Sequence, residues 1–260
     1  MSSSNKVWNE TVRVRSYEAG ADGCASILSI CNYLQEAAGN HAFALGVAID
    51  QLAVQNLSWV LSRLRVRMQT YPKWREEVRI VTWPCGVERL FAHRDFELFG
   101  AGGQKLGVAT SSWLLLNIQK RRPARMLDVV KDFAVSDRPR ALGGELGERL
   151  SAPPPSGTER SFRVRGSDLD VNRHVNNVNY IEWAVETVPA GAGTLADLQV
   201  EFLAESVGGD EVMSRCAGSG PVFQHELTRT SDGRTLALAR TEWVKKCRMP
   251  GGDRFTRPIR

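Results

Sequence analysis

The chain has 260 residues, 42% of them hydrophobic and 24% charged, with a formal net charge of +5. That length suits two domains of about 130 residues, each with its own core, and the balance of residues excludes wholesale disorder. No apolar run approaches the ~18 residues of a membrane span, and the mild, dispersed positive charge is not the concentrated footprint of a nucleic-acid binder.

The first ten residues, MSSSNKVWNE, lack the apolar core of a secretory signal, so a cytoplasmic location is expected. Val12-Arg13-Val14-Arg15 alternates as a half-buried strand does. After a polar loop, Ile27, Ile30, Leu34, Ala38, His41 and Leu45 fall at helical spacing, which predicts a long helix over 25–45 capped by Gly46. His41 sits on its apolar face as a packed core residue. Strand-like runs follow at 57–68, 77–83, 90–99 and 105–118, the last two separated by a hairpin turn at Gly100-Ala101-Gly102-Gly103. Lys120-Arg121-Arg122 with Arg125 is either a solvated loop or a docking patch for an acidic protein.

Residues 142–158, with Pro153-Pro154-Pro155, read as a stiff, extended linker. We place one domain at 1–141 and a second at 159–260. The second opens on the alternating Phe162-Arg163-Val164-Arg165 and continues with a helix over 177–188, stopped by Pro189. Strands are expected at 198–203, 211–215, 222–228 and 235–244. The two parts repeat one another. Asn32-Tyr33-Leu34-Gln35-Glu36-Ala37 matches Asn179-Tyr180-Ile181-Glu182-Trp183-Ala184, Leu64 to Met68 matches Leu198 to Phe202, and Gly103 to Ala109 matches Gly233 to Ala239, which sets Trp113 opposite Trp243. Three matches in one order imply two copies of a fold in which an antiparallel meander wraps a central helix, an α+β pattern.

The densest polar cluster precedes the second helix. If residues 170–174 are extended, Asp170, Asn172 and His174 share one side, presenting a carboxylate, an amide and an imidazole together. Asp168 and Asn177 are better read as turn and cap residues. The corresponding first-half loop, Gly20-Ala21-Asp22-Gly23-Cys24, has no His or Asn, so the cluster is not a requirement of the fold. Glu205, after the strand at 198–203, is a further candidate; its first-half counterpart is Tyr71. His93 and His225 lie in strands without clustered partners. The five cysteines, Cys24, Cys31, Cys85, Cys216 and Cys247, form no C-x-x-C pair and are expected as free thiols. No metal-ligand spacing stands out, and no cofactor is expected.

At these residues the chain resembles the acyl-ACP thioesterase family of plants and bacteria, over nearly its whole length. The resemblance rests on Arg15-Ser16-Tyr17-Glu18, Leu34-Gln35-Glu36-Ala37, Asn40-His41, Trp59-Val60, Tyr71-Pro72, Trp74 and Arg121-Arg122-Pro123. Its most specific segment runs from Leu169-Asp170-Val171-Asn172-Arg173-His174 through Val175-Asn176-Asn177 to Tyr180-Ile181. It implies a tandem double hotdog fold and hydrolysis of acyl-ACP to free fatty acid. The substrate would be carried on the phosphopantetheine arm of acyl carrier protein, an acidic partner. The family's catalytic Asp, Asn, His and Glu fall on Asp170, Asn172, His174 and Glu205. Plant members often carry Cys directly after that Glu; Ser206 stands here and argues against a thiol nucleophile. With no transit peptide in view, the bacterial type is expected.

Glu205 with His174 would then activate a water, with Asn172 orienting water or carbonyl and Asp170 orienting both neighbours. A rival scheme makes Asp170 the nucleophile, through an anhydride. The first half, lacking the cluster, would hold the acyl tail between its helix and the strand at 57–68. Acyl-CoA hydrolysis on the same fold, a non-catalytic carrier-binding module and a nucleic-acid binder are the competing readings. A homodimer is compatible with the fold.

Overall fold

A computed structural model gives the fold and describes residues 6–135, 137–143 and 149–245. Strand β1 (Trp8–Arg13) leads through a 3-10 turn at Ser16–Glu18 into α1 (Ile27–Ala44) and a short α2 (Ile49–Ala53). Four long strands follow: β2 (Leu57–Met68), β3 (Glu77–Glu88), β4 (Phe91–Gly100) and β5 (Lys105–Asn117). β6 (Arg122–Pro123) and α3 (Asp128–Asp132), neither anticipated from the sequence, end the first half. The second half repeats the order with β7 (Thr158–Arg163), a 3-10 turn at Gly166–Asp168, α4 (Asn177–Glu186), β8 (Thr194–Phe202), β9 (Glu211–Ser219), β10 (Val222–Arg229) and β11 (Thr235–Val244).

All eleven strands form one sheet, in the order β1-β3-β4-β5-β2-β8-β11-β10-β9-β7, with β6 beside β5. The order is mirrored about the β2–β8 seam, where the halves pair antiparallel with Arg63 opposite Glu201 and Arg67 opposite Asp197. Alternation along β2 sends Leu64 and Val66 into the core and the arginines to the opposite face. There Arg63 meets Glu201 at 3.0 Å, while Arg65 and Arg67 converge on Asp197 at 3.1 and 2.9 Å. The seam is therefore sealed by aliphatic packing on one face and ion pairs on the other.

Both helices lay their apolar stripes on the same core. Ser26 caps α1 by accepting the Ser29 N–H, and Ile30, Leu34, Ala37 and Ala38 are buried. In α4 the buried stripe is Val178, Tyr180, Ile181, Trp183 and Ala184. One cluster joins these to Leu64, Val66, Leu198 and Val200 of the seam. Each fully buried Leu or Ile contributes roughly 1.5–3 kcal/mol. A second cluster, Val47, Leu52, Leu57, Leu115, Met126, Val130 and Phe133, is built wholly from first-half residues.

Three expectations are corrected. β3 does not end before Pro84; it continues to Glu88 through a bulge at Pro84–Gly86, the kind of irregularity that tolerates a residue without an N–H. The linker is not a free-standing spacer. Just before it, Arg140 and the Ala141 N–H bind the buried Asp95 at 2.8 and 2.9 Å, and within it the Leu150 N–H binds Glu201 of β8. Within it, residues 144–148 lie outside the described residues, as do Cys247 and the rest of 246–260.

The third correction concerns the repeat. Ser29 Oγ donates to the Glu18 carbonyl at 2.8 Å, as Asn179 Nδ2 does to the Asp168 carbonyl at 2.7 Å. Asn179 thus corresponds to Ser29 and not to Asn32. The two registers differ by three residues, close to the helical repeat of ~3.6, so an apolar stripe looks alike in either. Among the described residues no helix is long and apolar enough to cross a membrane.

Candidate active site

Residues 169–175 form a tight loop rather than an extended strand, which overturns the alternation argument. The Asp170 N–H donates to the His174 carbonyl at 2.8 Å and the Arg173 N–H to the Asp170 carbonyl at 3.0 Å. Arg173 sits in the left-handed region at φ 62°, where the first-half counterpart is Gly23 at φ 75°. The first-half loop closes the same way, with the Gly20 N–H on the Cys24 carbonyl at 2.9 Å. One backbone turn thus carries two different sets of side chains.

In the second half Asp170 spends Oδ1 on two backbone donors, the N–H of Asn172 at 2.8 Å and that of His174 at 3.1 Å. The first has no counterpart from Gly20; the second is matched in the first half by Asp22 Oδ1, which accepts the Cys24 N–H at 3.1 Å. The turn is then stitched to the loop after β8: the Val175 N–H donates to the Ser206 carbonyl at 3.0 Å, and His174 bridges Val207. That stitch brings distant parts of the chain together. His174 Nε2 faces Glu205 Oε2 at 3.6 Å, with both side chains roughly two-fifths exposed and so open to a substrate. Asp170, His174 and Glu205 are gathered; the Asn172 side chain is exposed and makes no hydrogen bond among the described residues.

Around this pair the supporting groups are ionised and occupied. Burial works against ionisation of Asp210. Bonds from Ser206 Oγ at 2.7 Å and the Val207 N–H at 3.1 Å, with Arg229 beside it, nonetheless hold its carboxyl below the usual range. Arg229 also donates to the Glu205 carbonyl at 3.2 Å and pairs with Asp232 at 2.7 Å, which fixes the loop bearing the glutamate. Ser206 is fully buried with its hydroxyl committed to Asp210, so it supplies no nucleophile. Asp168 is a turn residue, as expected: it accepts the Arg165 N–H at 2.7 Å, and against its burial the Arg165 guanidinium keeps its pKa low.

Asn177 is not the helix cap. Asn176 takes that part, accepting the Val178 N–H at 3.1 Å, and Asn177 instead reaches across to Gln35 of α1 at 3.2 Å. His41 is buried, as expected of a packed residue, and its Nδ1 meets Arg94 at 2.9 Å. His93 and His225 are buried on Ser112 and Thr241. Cys24, Cys31, Cys85 and Cys216 form no disulfide among the described residues. Arg121 and Arg122 are exposed, and Arg125 pairs with Asp128 three residues on. No group of His, Cys, Asp and Glu among the described residues could hold a metal ion.

Two family models match the chain: the acyl-ACP thioesterase N-terminal domain over residues 5–133 and its C-terminal domain over 152–245. An oleoyl-acyl carrier protein thioesterase of Arabidopsis thaliana is 30% identical over 92% of this chain, and a palmitoyl-acyl carrier protein thioesterase of the same plant is 31% identical over 92%. Both are chloroplastic, and the chain spans 77% and 64% of their respective lengths. Among solved structures, an acyl-ACP thioesterase from Bacteroides thetaiotaomicron superposes with a TM-score of 0.84 at 27% identity, covering 93% of this chain and 99% of that one. The 12:0-ACP thioesterase of Umbellularia californica gives 0.83 at 28% identity, covering 92% and 98%. The tandem hotdog architecture follows from this likeness, and by sequence and structure alike the chain belongs to the acyl-ACP thioesterase family.

Proposed function

We propose that this protein hydrolyses fatty acyl groups from acyl carrier protein, with Asp170, Asn172, His174 and Glu205 as its working residues. The observation that carries the reading is the His174–Glu205 pair, which occurs in one copy of a doubled fold and is replaced by Cys24 and Tyr71 in the other. A turn that folds equally well without these groups holds them for chemistry.

A thioester needs a nucleophile and a place for the negative charge; its thiolate leaves without strong acid help. Glu205 and His174 bind a water between them, and Glu205 takes one of its protons as the water oxygen bonds to the carbonyl carbon. The carbonyl π pair moves onto oxygen, where donors at the start of α4 and the helix dipole stabilise it. Collapse of the tetrahedral adduct breaks the C–S bond. The thiolate of the phosphopantetheine arm takes the proton from the acid form of the pair, and the fatty acid is released. Asp170 positions His174 through its backbone, and Asn172, at the exposed mouth, orients the incoming thioester. The chemistry calls on no cofactor of its own.

The first half takes the acyl tail. Among the described residues it adds a second apolar cluster, between the end of α1, β2, β5 and α3, and its own turn carries Cys24 where the second half has His174. Initial rates on a panel of acyl-ACPs and matched acyl-CoAs, for the native protein, His174→Ala and Glu205→Gln, test the reading. Fast acyl-ACP turnover that both variants lose supports it. Equal or better turnover of acyl-CoA would reassign the substrate, and turnover unaffected by either variant would remove the pair from the mechanism.

A further inference from the structure

The doubled fold supplies its own control for the active site. With Ser26 matched to Asn176, Asn177 corresponds to Ile27, Tyr180 to Ile30 and Gln35 to Val185. Away from the His174–Glu205 pair these positions are aliphatic: Ile27 and Ile30 belong to the core, and Val185 packs against it. Beside the pair all three are polar. Asn177 Nδ2 donates to Gln35 Oε1 at 3.2 Å, a side-chain hydrogen bond between the two halves at the first turn of α4. One turn further on, the Tyr180 hydroxyl is buried with no hydrogen-bond partner among the described residues. The polar replacements on α4 therefore fall at its start, three and six residues after His174, and Gln35 joins them through Asn177.

We infer that Gln35, contributed by the first half, and Asn177 form an amide pair that receives the thioester carbonyl and donates to its oxygen as negative charge develops. The inference rests on the thioesterase reading above. With the Asn177–Gln35 bond made, Gln35 Nε2 keeps both of its N–H groups, and neither side chain has another partner among the described residues. Reversing the two amides exchanges their roles and still leaves an unspent NH2. The main-chain N–H of Asn177 likewise has no acceptor among the described residues. Neutral donors suit this place. A cation beside Glu205 would pair with the carboxylate and lower its basicity, whereas an amide stabilises the oxyanion and leaves the base available. The catalytic half thus depends on its partner half for one donor, a physical reason for keeping both copies in one chain.

Gln35→Val and Asn177→Ile install the residues that the fold itself uses at the corresponding positions, so both are compatible with folding. Gln35→Glu still accepts the Asn177 bond but loses the free donor and places negative charge where the oxyanion forms. We expect kcat on acyl-ACP to fall roughly 100-fold in all three. KM should stay within about threefold, and melting temperatures should lie within a few degrees of the native value. His174→Ala is assayed in parallel. Absence of turnover by the native protein would sink the thioesterase reading itself. Native turnover that His174→Ala abolishes but Gln35→Glu leaves within about twofold would overturn only the amide pair. So would a loss of kcat confined to variants with lowered melting temperature, which would mark a merely structural contact.

Discussion

Replacing Asp170 with alanine separates what the turn needs from what His174 needs. The turn's backbone bonds are the same in both halves, and the first half makes them with Gly20 in place of Asp170, the Cys24 N–H being accepted there by Asp22 Oδ1 at 3.1 Å. What Asp170 adds is two bonds from Oδ1, to the N–H of Asn172 at 2.8 Å and of His174 at 3.1 Å. A hydrogen bond to a charged group contributes about 1.5–3 kcal/mol when dry. On this half-buried, water-accessible loop we take about 1 kcal/mol for each, so Asp170→Ala should cost about 2 kcal/mol. For a chain of this size that lowers the melting temperature by roughly 4–8 °C, leaving the protein folded. The effect on rate should be much larger: with His174 free to turn away from Glu205, kcat should fall about 10²–10⁴-fold. Asp170→Asn keeps a carbonyl oxygen for both bonds and should lie between the two. Scanning calorimetry and single-turnover hydrolysis of acyl-ACP in labelled water read both quantities. An Asp170→Ala variant within about tenfold of native kcat would refute the positioning argument. Label recovered in the Asp170 carboxylate would establish it as the nucleophile.

Two further outcomes test the frame that holds the site. Asp197→Ala leaves Arg65, 13% exposed at the seam, without its carboxylate, and should destabilise the protein by about 3 kcal/mol in denaturant titrations; a change below about 1 kcal/mol would mean that aliphatic packing alone holds the halves together. The His225 imidazole, fully buried on Thr241, is pushed down by burial from 6.5 to about 4. Because its folded pKa lies below the unfolded value, the stability it contributes is complete above about pH 6.5 and is lost as pH falls through about 4, a span of roughly 3 kcal/mol. His225→Gln should flatten that part of the stability profile, and an unchanged profile would discard the argument.

Much of this protein was legible in one dimension because its signals are local. Period-2 alternation in 162–165, helical spacing from Ile27 to His41 and the breaks at Gly100–Gly103 and Pro189 depend only on near neighbours, and elements lie on each of them, although β7 stops at Arg163 and α4 at Glu186. The order of three repeated segments was enough to expect two copies of one fold. The gathering of Asp170 with His174 was anticipated from a false premise. Alternation puts Asp170 and His174 on one side only if residues 170–174 are extended, whereas they turn, and a left-handed Arg173 is not betrayed by its side chain as Gly23 is. Glu205 could be named as a candidate but not placed, since only the bonds of Val175 to Ser206 and His174 to Val207 carry it across the fold to the imidazole.

Gln35 shows the limit most clearly. The six-residue helix match set it opposite Glu182, a polar pairing that attracts no notice. The hydrogen bonds of Ser29 and Asn179 move it opposite Val185, where its polarity stands out. A shift of nearly one helical turn preserves the apolar stripe, so the sequence by itself determined that both helices bury one face but not which residues correspond. That choice belonged to the tertiary structure, because only packing across the β2–β8 seam sets α1 beside the first turn of α4 and gives Asn177 a partner from the other half.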